Sequence, residues 1–310
     1  MATGLPWTFG VVTPQLKNGT IRAWDPRIRP LPANVITYTS VEAAFRQSSW
    51  DWILTHNVQD LLDVRCSRLP KVFLVHGTLS GRIVQEGSAI DRKAYVEYLR
   101  KLLRDDHCHV VYISSLKRDD WGIPGEVIPS AIDPREYGGY RGEKRGILQV
   151  SNHLKQRGAM LGWTAHKEVC RDLPNLILGR NPGLAESRRA SDWEDLKEQY
   201  RSFRVYLHTA VYPYEDGFNL ATLEAMATGM PIAGIEHPTS PVEDGVDGVL
   251  AADSTTLRAK VLRLLDDPDL AGNLGKNARE KVERRFSWEG FKGAWDSLAK
   301  SIGQVELRST

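Results

Sequence analysis

Short apolar runs in the first part of the chain alternate with stretches whose apolar residues recur at helical spacing. NVITYT (34–39), KVFLVHG (71–77) and HVVYISS (109–115) are rich in β-branched residues, which predicts strands. Residues 88–105 carry apolar side chains on one face and mixed charges on the other, which predicts an amphipathic helix. Further strands are predicted at TFGVVT (8–13), DWILTH (51–56) and EVIPSAIDPREY (126–137), helices after Val41 and over VQDLLDVRC (58–66), and an irregular loop over 15–33. The alternation predicts a parallel sheet with helical crossovers.

The same pattern starts again after GGYRGEKRG (138–146), which is rich in glycine and charge and therefore predicts a linker. Strands are predicted at GILQVS (146–151), NLILG (175–179), RVYLHT (204–209), PIAGIE (231–236) and GVLAAD (248–253), and helices at 158–172, 191–202 and from 254 onward. Two such halves in tandem predict doubly wound α/β domains, which bind ligands in the crevice at the carboxyl ends of their strands.

Length and composition fit this organisation. The 310 residues are long for one domain and natural for two. A net charge of +2 gives no reason to expect strong nonspecific binding to nucleic acid. The three cysteines are far apart, odd in number and in no metal-ligand spacing, which is typical of reduced thiols: Cys66, Cys108 and Cys170. Since the chain also has no apolar run of membrane-spanning length and no signal-peptide pattern, we expect a cytoplasmic location, or a peripheral one at a membrane.

One stretch, Asp216 to Pro231, predicts a short helix with polar groups gathered at its start. Asn219 is well placed as the N-cap, and Gly229 ends the helix just before the proline. The residues predicted to form a single apolar stripe on this helix are Leu220, Leu223, Met226 and Ala227.

Two carboxylates flank the start of this helix. Glu224 lies within the apolar run, where an unpaired carboxylate is costly, so it needs a partner or a ligand hydroxyl. Asp216 lies before the helix begins. Free backbone amides at a helix start form an anion site, and the amides here belong to Gly217, Phe218, Asn219 and Leu220. This arrangement suits a ligand with phosphates and sugar hydroxyls; the alternative is an ordinary acidic turn before a core helix.

The stretch resembles the signature of the family 4 retaining glycosyltransferases, a superfamily that includes glycogen synthases and phosphatidylinositol mannosyltransferases. The second half of that signature is matched residue for residue by Glu224, Ala225, Met226, Ala227, Gly229 and Pro231. In the first half, Asp216 stands where the family has Glu, and Asn219 stands where it has Gly. The resemblance implies the GT-B fold, in which two Rossmann-like doubly wound domains face a central cleft.

The resemblance also implies a division of the chain into parts with different tasks. Residues 1–140 would form a shortened acceptor-binding domain, and residues 141–287 a domain that binds the nucleotide sugar. Residues 288–310 would form a C-terminal helix that crosses back to the first domain.

For the donor, the resemblance points to the loop in ILQVSNHLKQRG (147–158). In the family an Arg and a Lys of this loop hold the donor diphosphate, and those positions are Asn152 and Arg157 here, with Lys155 or His153 able to supply further charge. The residues implied to bind the donor are therefore Asn152, Lys155, Arg157, Gly217, Phe218, Asn219, Leu220 and Glu224. The alternative for Lys155 and Arg157 is a solvated basic loop.

For the acceptor, the resemblance points to the end of VFLVHG (72–77), where the histidine of the family contacts the acceptor hydroxyl. That residue is His76, and His56 ends a neighbouring predicted strand. Gly77, Thr78 and Gly81 would then form a flexible loop close to the substrate. The alternative for either histidine is a hydrogen-bonded side chain of the core or of the sheet edge.

The implied chemistry is a front-face transfer with retention, in which the departing diphosphate itself receives the acceptor proton. The catalytic group would be His76, Asp216 and Arg157: Asp216 would fix a sugar hydroxyl, Arg157 would offset the leaving-group charge, and Glu224 would take the ribose hydroxyls. No Asp-x-Asp motif ends a predicted strand, so we expect no required metal and no cofactor beyond the donor, a UDP- or GDP-sugar.

The sequence leaves the acceptor open among a glycan, a lipid-linked molecule and a small molecule, with modified DNA less favoured because the net charge is near zero. Two other functions would use the same donor pocket. One is a sugar-nucleotide hydrolase or epimerase. The other is a sugar-nucleotide-binding protein with weak or absent catalysis, for which Asn152 and Asp216 are the sequence features.

Overall fold

The structure, a computed structural model, describes residues 7–12, 29–87 and 90–307. Most of the predicted loop at 15–33 therefore lies outside the described residues. Within them the chain is an α/β protein built on three parallel sheets.

The first part of the chain forms a two-stranded sheet and a four-stranded sheet, both parallel. Their strands are β1 (Phe9–Val12), β2 (Val35–Tyr38), β3 (Ile53–Thr55), β4 (Lys71–Val75), β5 (Cys108–Tyr112) and β6 (Glu126–Val127). Their helices are α1 (Val41–Gln47), α2 (Val58–Asp63), α3 (Leu79–Glu86), α4 (Arg92–Asp105) and α5 (Ser115–Trp121). The four strands β3 to β6 lie side by side in chain order.

The second part forms one six-stranded parallel sheet in the order β12-β11-β10-β7-β8-β9. Its strands are β7 (Lys144–Val150), β8 (Asn175–Leu178), β9 (Ser187–Arg188), β10 (Phe203–His208), β11 (Ile232–Ile235) and β12 (Gly248–Ala251). Its helices are α6 (Gly158–Leu161), α7 (Trp163–Cys170), α8 (Trp193–Ser202), α9 (Leu220–Thr228), α10 (Ser254–Asp266) and α11 (Pro268–Arg285). The sheet is doubly wound, and the direction of strand addition reverses between β7 and β10, where ligands bind in such sheets.

The predicted helix at the centre of the chain is α9, and it is buried on nearly every side. Leu223, Ala225, Met226 and Ala227 have no exposed surface, whereas Leu220 is 41% exposed. The prediction of one apolar stripe that includes Leu220 was therefore wrong. The helix lies within the core between the sheet and α11, so its first residue is left outside.

The last helix, α12 (Trp288–Leu307), packs against the sheet of the first part. Trp295 is 1% exposed and stacks on Trp52 with ring centroids 6.2 Å apart. The apolar cluster that joins this helix to β4 and β5 contains Val72, Leu74, Val111, Ile128, Phe291, Trp295, Leu298 and Ile302. The helix α12 thus completes the apolar core of the four-stranded sheet in the first part of the chain.

Two local predictions differ from the structure. The predicted helix 158–172 is interrupted at Gly162, which has a φ of 70° and where a β-carbon would overlap the carbonyl oxygen of Thr209. The predicted flexible loop around Gly77, Thr78 and Gly81 is the start of α3, because the Thr78 hydroxyl accepts a hydrogen bond from the Gly81 amide and caps the helix.

Candidate active site

The two parts of the chain meet at the loop between β10 and α9. The Thr78 hydroxyl donates to the carbonyl oxygen of Tyr214 at 2.5 Å. A β-carbon at Gly81 would overlap the same oxygen, so a larger residue there would push the two parts aside. This contact brings the ends of β4 and β5 next to the start of α9.

Asp216 is buried and is held by residues of the first part. Its Oδ1 accepts from the Ser114 hydroxyl at 2.9 Å, and its Oδ2 pairs with the ammonium group of Lys117. Both partners sit at the start of α5, where Ser114 is the N-cap. The carboxylate that the sequence assigns to a sugar hydroxyl therefore faces the other half of the protein.

Lys117 has a second carboxylate partner, Glu215, whose Oε1 accepts from its Nζ at 2.9 Å. The other oxygen of Glu215 lies 3.7 Å from a guanidinium nitrogen of Arg157. Glu215 thus links the cation of the first part to the predicted donor-binding cation of the second. Lys155, in the same loop as Arg157, is exposed.

Asn152 has a local structural contact. Its side-chain oxygen accepts from the backbone amide of Arg180 at 2.7 Å, which ties the end of β7 to the turn after β8. The contact with Arg180 does not involve the Asp216 cluster, and the side chain of Asn152 is exposed. Its predicted role in donor binding is not tested by this contact.

Two of the four amides predicted to be free at the start of α9 have acceptors within the protein. The Gly217 amide donates to the Thr239 hydroxyl at 2.8 Å. The Asn219 amide donates to Thr222 Oγ1 at 3.3 Å, while the Asn219 side chain accepts from the Thr222 amide, which forms a capping box. The expectation of four free amides was therefore wrong.

The amides of Phe218 and Leu220 have no acceptor among the described residues. The Phe218 ring packs on Phe286 with centroids 5.4 Å apart, which anchors this turn to α11. Gly217 could not carry a side chain, because a β-carbon there would lie 2.7 Å from the His237 ring. The two remaining amides keep the capacity to bind an anion.

Glu224 is 6% exposed and its carboxylate has neutral donors on both oxygens. The Tyr137 hydroxyl donates to Oε1 at 2.9 Å, and the Tyr200 hydroxyl donates to Oε2 at 2.8 Å. Burial raises the pKa of the Glu224 carboxyl, and the two tyrosine hydrogen bonds oppose that shift. Each oxygen retains a lone pair for a further donor.

Arg29 lies beside Glu224, with a guanidinium nitrogen 3.6 Å from Oε1. The same guanidinium stands 4.8 Å from the centroid of Trp193 and 3.6 Å from Glu136. The segment that precedes β2 therefore reaches the second part of the chain at the predicted ribose-binding residue.

His56 and His76 contact each other, with Nδ1 of the first 2.8 Å from Nε2 of the second and ring centroids 5.0 Å apart. Partial desolvation by the surrounding protein, together with His56 and Lys117, lowers the pKa of His76 to about 4, although its ring keeps contact with solvent. Burial also lowers the pKa of His56, against the attraction of Asp60. The pair is therefore neutral at pH 7, and one ring can hydrogen-bond the other.

Five residues near the cleft were not predicted from the sequence: Ser114, Lys117, His208, Glu215 and His237. Ser114 carries a usable signal, since a serine between a strand and a polar stretch is a typical N-cap. Lys117 carries none, because its partners lie 98 and 99 residues away in the chain.

His208 supports the Asp216 turn from inside the protein. Its Nε2 lies 3.3 Å from the Asp216 carbonyl oxygen, and its Nδ1 lies 3.4 Å from Thr222 Oγ1. Burial lowers the pKa of His208 to about 4. Its neutral ring can donate to the carbonyl at one nitrogen and accept from the hydroxyl at the other.

Histidine, cysteine and carboxylate side chains form no group of three that could hold a metal ion within the described ranges. In the same part of the chain, no helix is both long and apolar enough to span a membrane.

Residues 164–267 match the family model for glycosyl transferases of group 1. An MMP alpha-(1->4)-mannosyltransferase of Mycolicibacterium hassiacum is 39% identical over 189 residues, which cover 53% of this chain and 45% of that protein. An N-acetyl-alpha-D-glucosaminyl L-malate synthase of Bacillus anthracis is 32% identical over 127 residues, or 40% of this chain and 29% of that protein. The chain thus spans less than half the length of these curated relatives.

Among solved structures, sucrose-phosphate synthase from Thermosynechococcus elongatus superposes with a TM-score of 0.67 at 16% identity, covering 91% of this chain and 86% of that one. HepE from Anabaena, in complex with UDP and glucose, superposes with a TM-score of 0.66 at 15% identity, covering 88% and 87%. The prediction of the GT-B fold is confirmed, as is the relation to glycosyltransferases. The narrower assignment to family 4 stays a prediction.

Acidification should weaken this site through His208. Because the folded protein holds its pKa near 4 and the unfolded value is 6.5, the unfolded chain binds the extra proton first as the pH falls through this window. Between pH 7 and pH 5 this should lower the free energy of unfolding by about 2 kcal/mol.

Urea unfolding at pH 8, 7, 6 and 5 measures this dependence. His208→Gln keeps a donor for the Asp216 carbonyl but does not titrate, so its unfolding free energy should fall less steeply than that of the wild type. Equal slopes in the two proteins would show that His208 is not the titrating group.

Proposed function

From its relation to the group 1 glycosyl transferases, we propose that this chain transfers a sugar from a nucleoside diphosphate sugar to an acceptor hydroxyl, with retention of anomeric configuration. The observation that carries the proposal is the pair of buried carboxylates, Asp216 and Glu224, on either side of the start of α9. They lie next to the point where the second sheet reverses its winding, which is where such sheets bind nucleotides.

The donor, a UDP- or GDP-sugar, is proposed to bind mainly to the second part of the chain. Arg157 is half-exposed at the cleft, and its guanidinium can pair with phosphate oxygens in a bidentate geometry. The amides of Phe218 and Leu220 are placed at a helix start, where an anion is stabilised. HepE, whose structure was solved with UDP and glucose, supports this choice of donor class.

The ribose is proposed to bind at Glu224. Tyr137 and Tyr200 fix the plane of this carboxylate, and the remaining lone pairs can accept from two adjacent hydroxyls. Since these contacts exist equally in the ground state and the transition state, they contribute to donor binding rather than to the rate of the chemical step.

The sugar is proposed to bind at Asp216 and the acceptor on the side of His76. In the reaction, the bond from the anomeric carbon to the diphosphate oxygen breaks and a bond to the acceptor oxygen forms on the same face. The acceptor proton passes to the departing phosphate oxygen, and Arg157 stabilises the charge on that group. His76, being neutral at pH 7, orients the acceptor hydroxyl by a hydrogen bond.

The place of action is proposed to be the cytoplasm, where thiols stay reduced. Cys66, Cys108 and Cys170 are all unpaired in the structure, which fits that compartment. The acceptor is proposed to be a hydroxyl of a glycan, a lipid-linked molecule or a small molecule.

Nucleoside diphosphates should stabilise the protein against heat. At about 100 times the dissociation constant, a ligand that binds only the folded state adds about 2.7 kcal/mol. UDP or GDP should therefore raise the melting temperature, and uridine or guanosine should do so much less because the diphosphate contacts are missing.

Arg157→Gln should weaken diphosphate affinity at least about tenfold, since it removes a hydrogen-bonded charge. Arg171→Gln, at an exposed arginine of the same half, is the matched control and should bind normally. Melting temperatures that no diphosphate shifts at millimolar concentration would count against the donor site.

The transfer should proceed in EDTA and yield a product with the anomeric configuration of the donor. The physical reason is that Arg157 and helix-start amides, rather than a metal ion, neutralise the leaving diphosphate. NMR of the reaction measures both properties, and a parallel sample without acceptor separates transfer from hydrolysis. Loss of turnover that Mg²⁺ or Mn²⁺ restores, or an inverted product, would overturn this mechanism.

Replacing Glu224 and replacing Asp216 should change different kinetic constants. Glu224→Gln should raise the donor KM with little change in kcat, because the ribose contacts are uniform along the reaction. Asp216→Asn should lower kcat about 100-fold or more, because its contact must hold the sugar ring as the bond breaks.

Steady-state kinetics against one donor would separate these effects. The matched control is Asp247→Asn, a buried carboxylate paired with Lys281, which should lower stability but leave kcat unchanged. If both site variants only raise KM, or if Asp247→Asn lowers kcat as much as Asp216→Asn does, the proposed roles are wrong.

A further inference from the structure

Lys117 is a buried cation placed between the two halves of the chain. Its side chain is 2% exposed, and its Nζ contacts one carboxylate oxygen of Glu215 and one of Asp216. A lysine is rarely buried unless it is paired, because removing an ammonium group from water is costly. Here the pairing crosses from α5 to the loop between β10 and α9.

Both side-chain oxygens of Asp216 are held by residues of the first half. Ser114 donates to Oδ1 and Lys117 donates to Oδ2, so the plane of the carboxylate is fixed by two groups of the same helix start. Ser114 also accepts from the Lys117 amide at 3.3 Å, which holds the two donors in register. Among the described residues, none of the second half donates to either oxygen.

The same face of the first half touches the second at two more points. Thr78 donates to the Tyr214 carbonyl, and Gly81 lies against it. Both contacts are made to the carbonyl oxygen of Tyr214, just before the Asp216 turn, so the position of the turn depends on the two halves being closed together.

We propose that Lys117 is a positioning residue, which aims the Asp216 carboxylate from the opposite half and so completes the sugar-binding side of the cleft only when the halves are closed. The inference rests on the proposed function for the sugar contact of Asp216. The closure itself does not depend on any substrate.

Charged and titratable groups from several elements lie around the cluster of Lys117, Glu215 and Asp216. They are Lys117 of α5, Glu215 of the same loop, Arg157 at the start of α6, His56 and His76 after β3 and β4, His208 of β10 and His237 after β11. Lys117 is the cation in direct contact with the carboxylate of Asp216.

The experiment compares Lys117→Met with Lys71→Met. Lys71 is the matched control, since it is 4% exposed in the same half and its Nζ donates to the backbone carbonyls of Ser67 and Leu69. Lys117→Met should lower kcat about 100-fold with a donor KM within about threefold of the wild type.

Lys117→Arg keeps a cation and should restore kcat towards the wild-type value. Lys71→Met should lower stability without changing kcat. Wild-type kcat in Lys117→Met, or the same loss of kcat in Lys71→Met, would overturn the proposal.

A double variant covers the case in which Lys117→Met does not fold. Lys117→Met with Asp216→Asn removes both charges and should be no slower than Asp216→Asn alone, because one residue acts through the other. If the loss of kcat in the double variant equals the product of the losses in the two single variants, the two residues act independently and the inference is overturned.

Hydrogen exchange separates this inference from the proposed function. Without any substrate, Lys117→Met should speed amide exchange in residues 78–82 and 214–219 relative to Lys71→Met. If the wild type transfers no sugar, the proposed function is wrong. Faster exchange in Lys117→Met would in that case still support the closure by Lys117. Unchanged exchange overturns the closure whatever the activity.

Discussion

A lysine ammonium group buried between two carboxylates, in a contact that joins the halves of the chain, is the constraint on which the cleft depends. The side chain of Lys117 is almost completely buried, so Glu215 and Asp216 must stay close to it to stabilise its charge. Breaking such a pair is strongly destabilising, because the partner left behind is a buried charge without compensation. The halves are therefore held at the cleft by electrostatics, and by α12 through the apolar core of the first sheet.

The surroundings of this ion cluster carry little further charge at pH 7. Burial lowers the pKa of His76 and of His208 to about 4, and it also lowers the pKa of His56 and His237. Neutral imidazoles can donate and accept hydrogen bonds without adding to the repulsion on Lys117 and Arg157. In the part of the chain that the structure describes, the charges of Lys117 and Arg157 are paired with the carboxylates of Glu215 and Asp216.

The sequence was sufficient for elements whose signal is local. The strands β4, β5 and β7 were predicted from their apolar pattern. The helix α9 was predicted from its N-cap, Asn219, and from Gly229, which ends it. The helix α5 was missed because SLKRDDW is short and polar, and its signal lies mainly in the capping serine. The role of Lys117 could not be predicted at all, since its burial depends on two residues about a hundred positions away. The Gly217 amide was expected to be free for the same reason: its acceptor, Thr239, follows a later strand.

The two carboxylates of the site differ in what stabilises them, and that difference orders the assembly of the cleft. Glu224 is held by hydroxyls of Tyr137 and Tyr200, which pack with α9 in the core of the second half. Asp216 is held by Ser114 and Lys117 of the first half. Opening the halves would keep the two tyrosine partners of Glu224 but would take Arg29 away from it, and it would remove both side-chain partners of Asp216. In the proposed mechanism, the tyrosine-held carboxylate on the nucleoside side would survive opening, whereas the sugar side would require the closed halves, so that a nucleotide could bind before closure but sugar transfer could not occur.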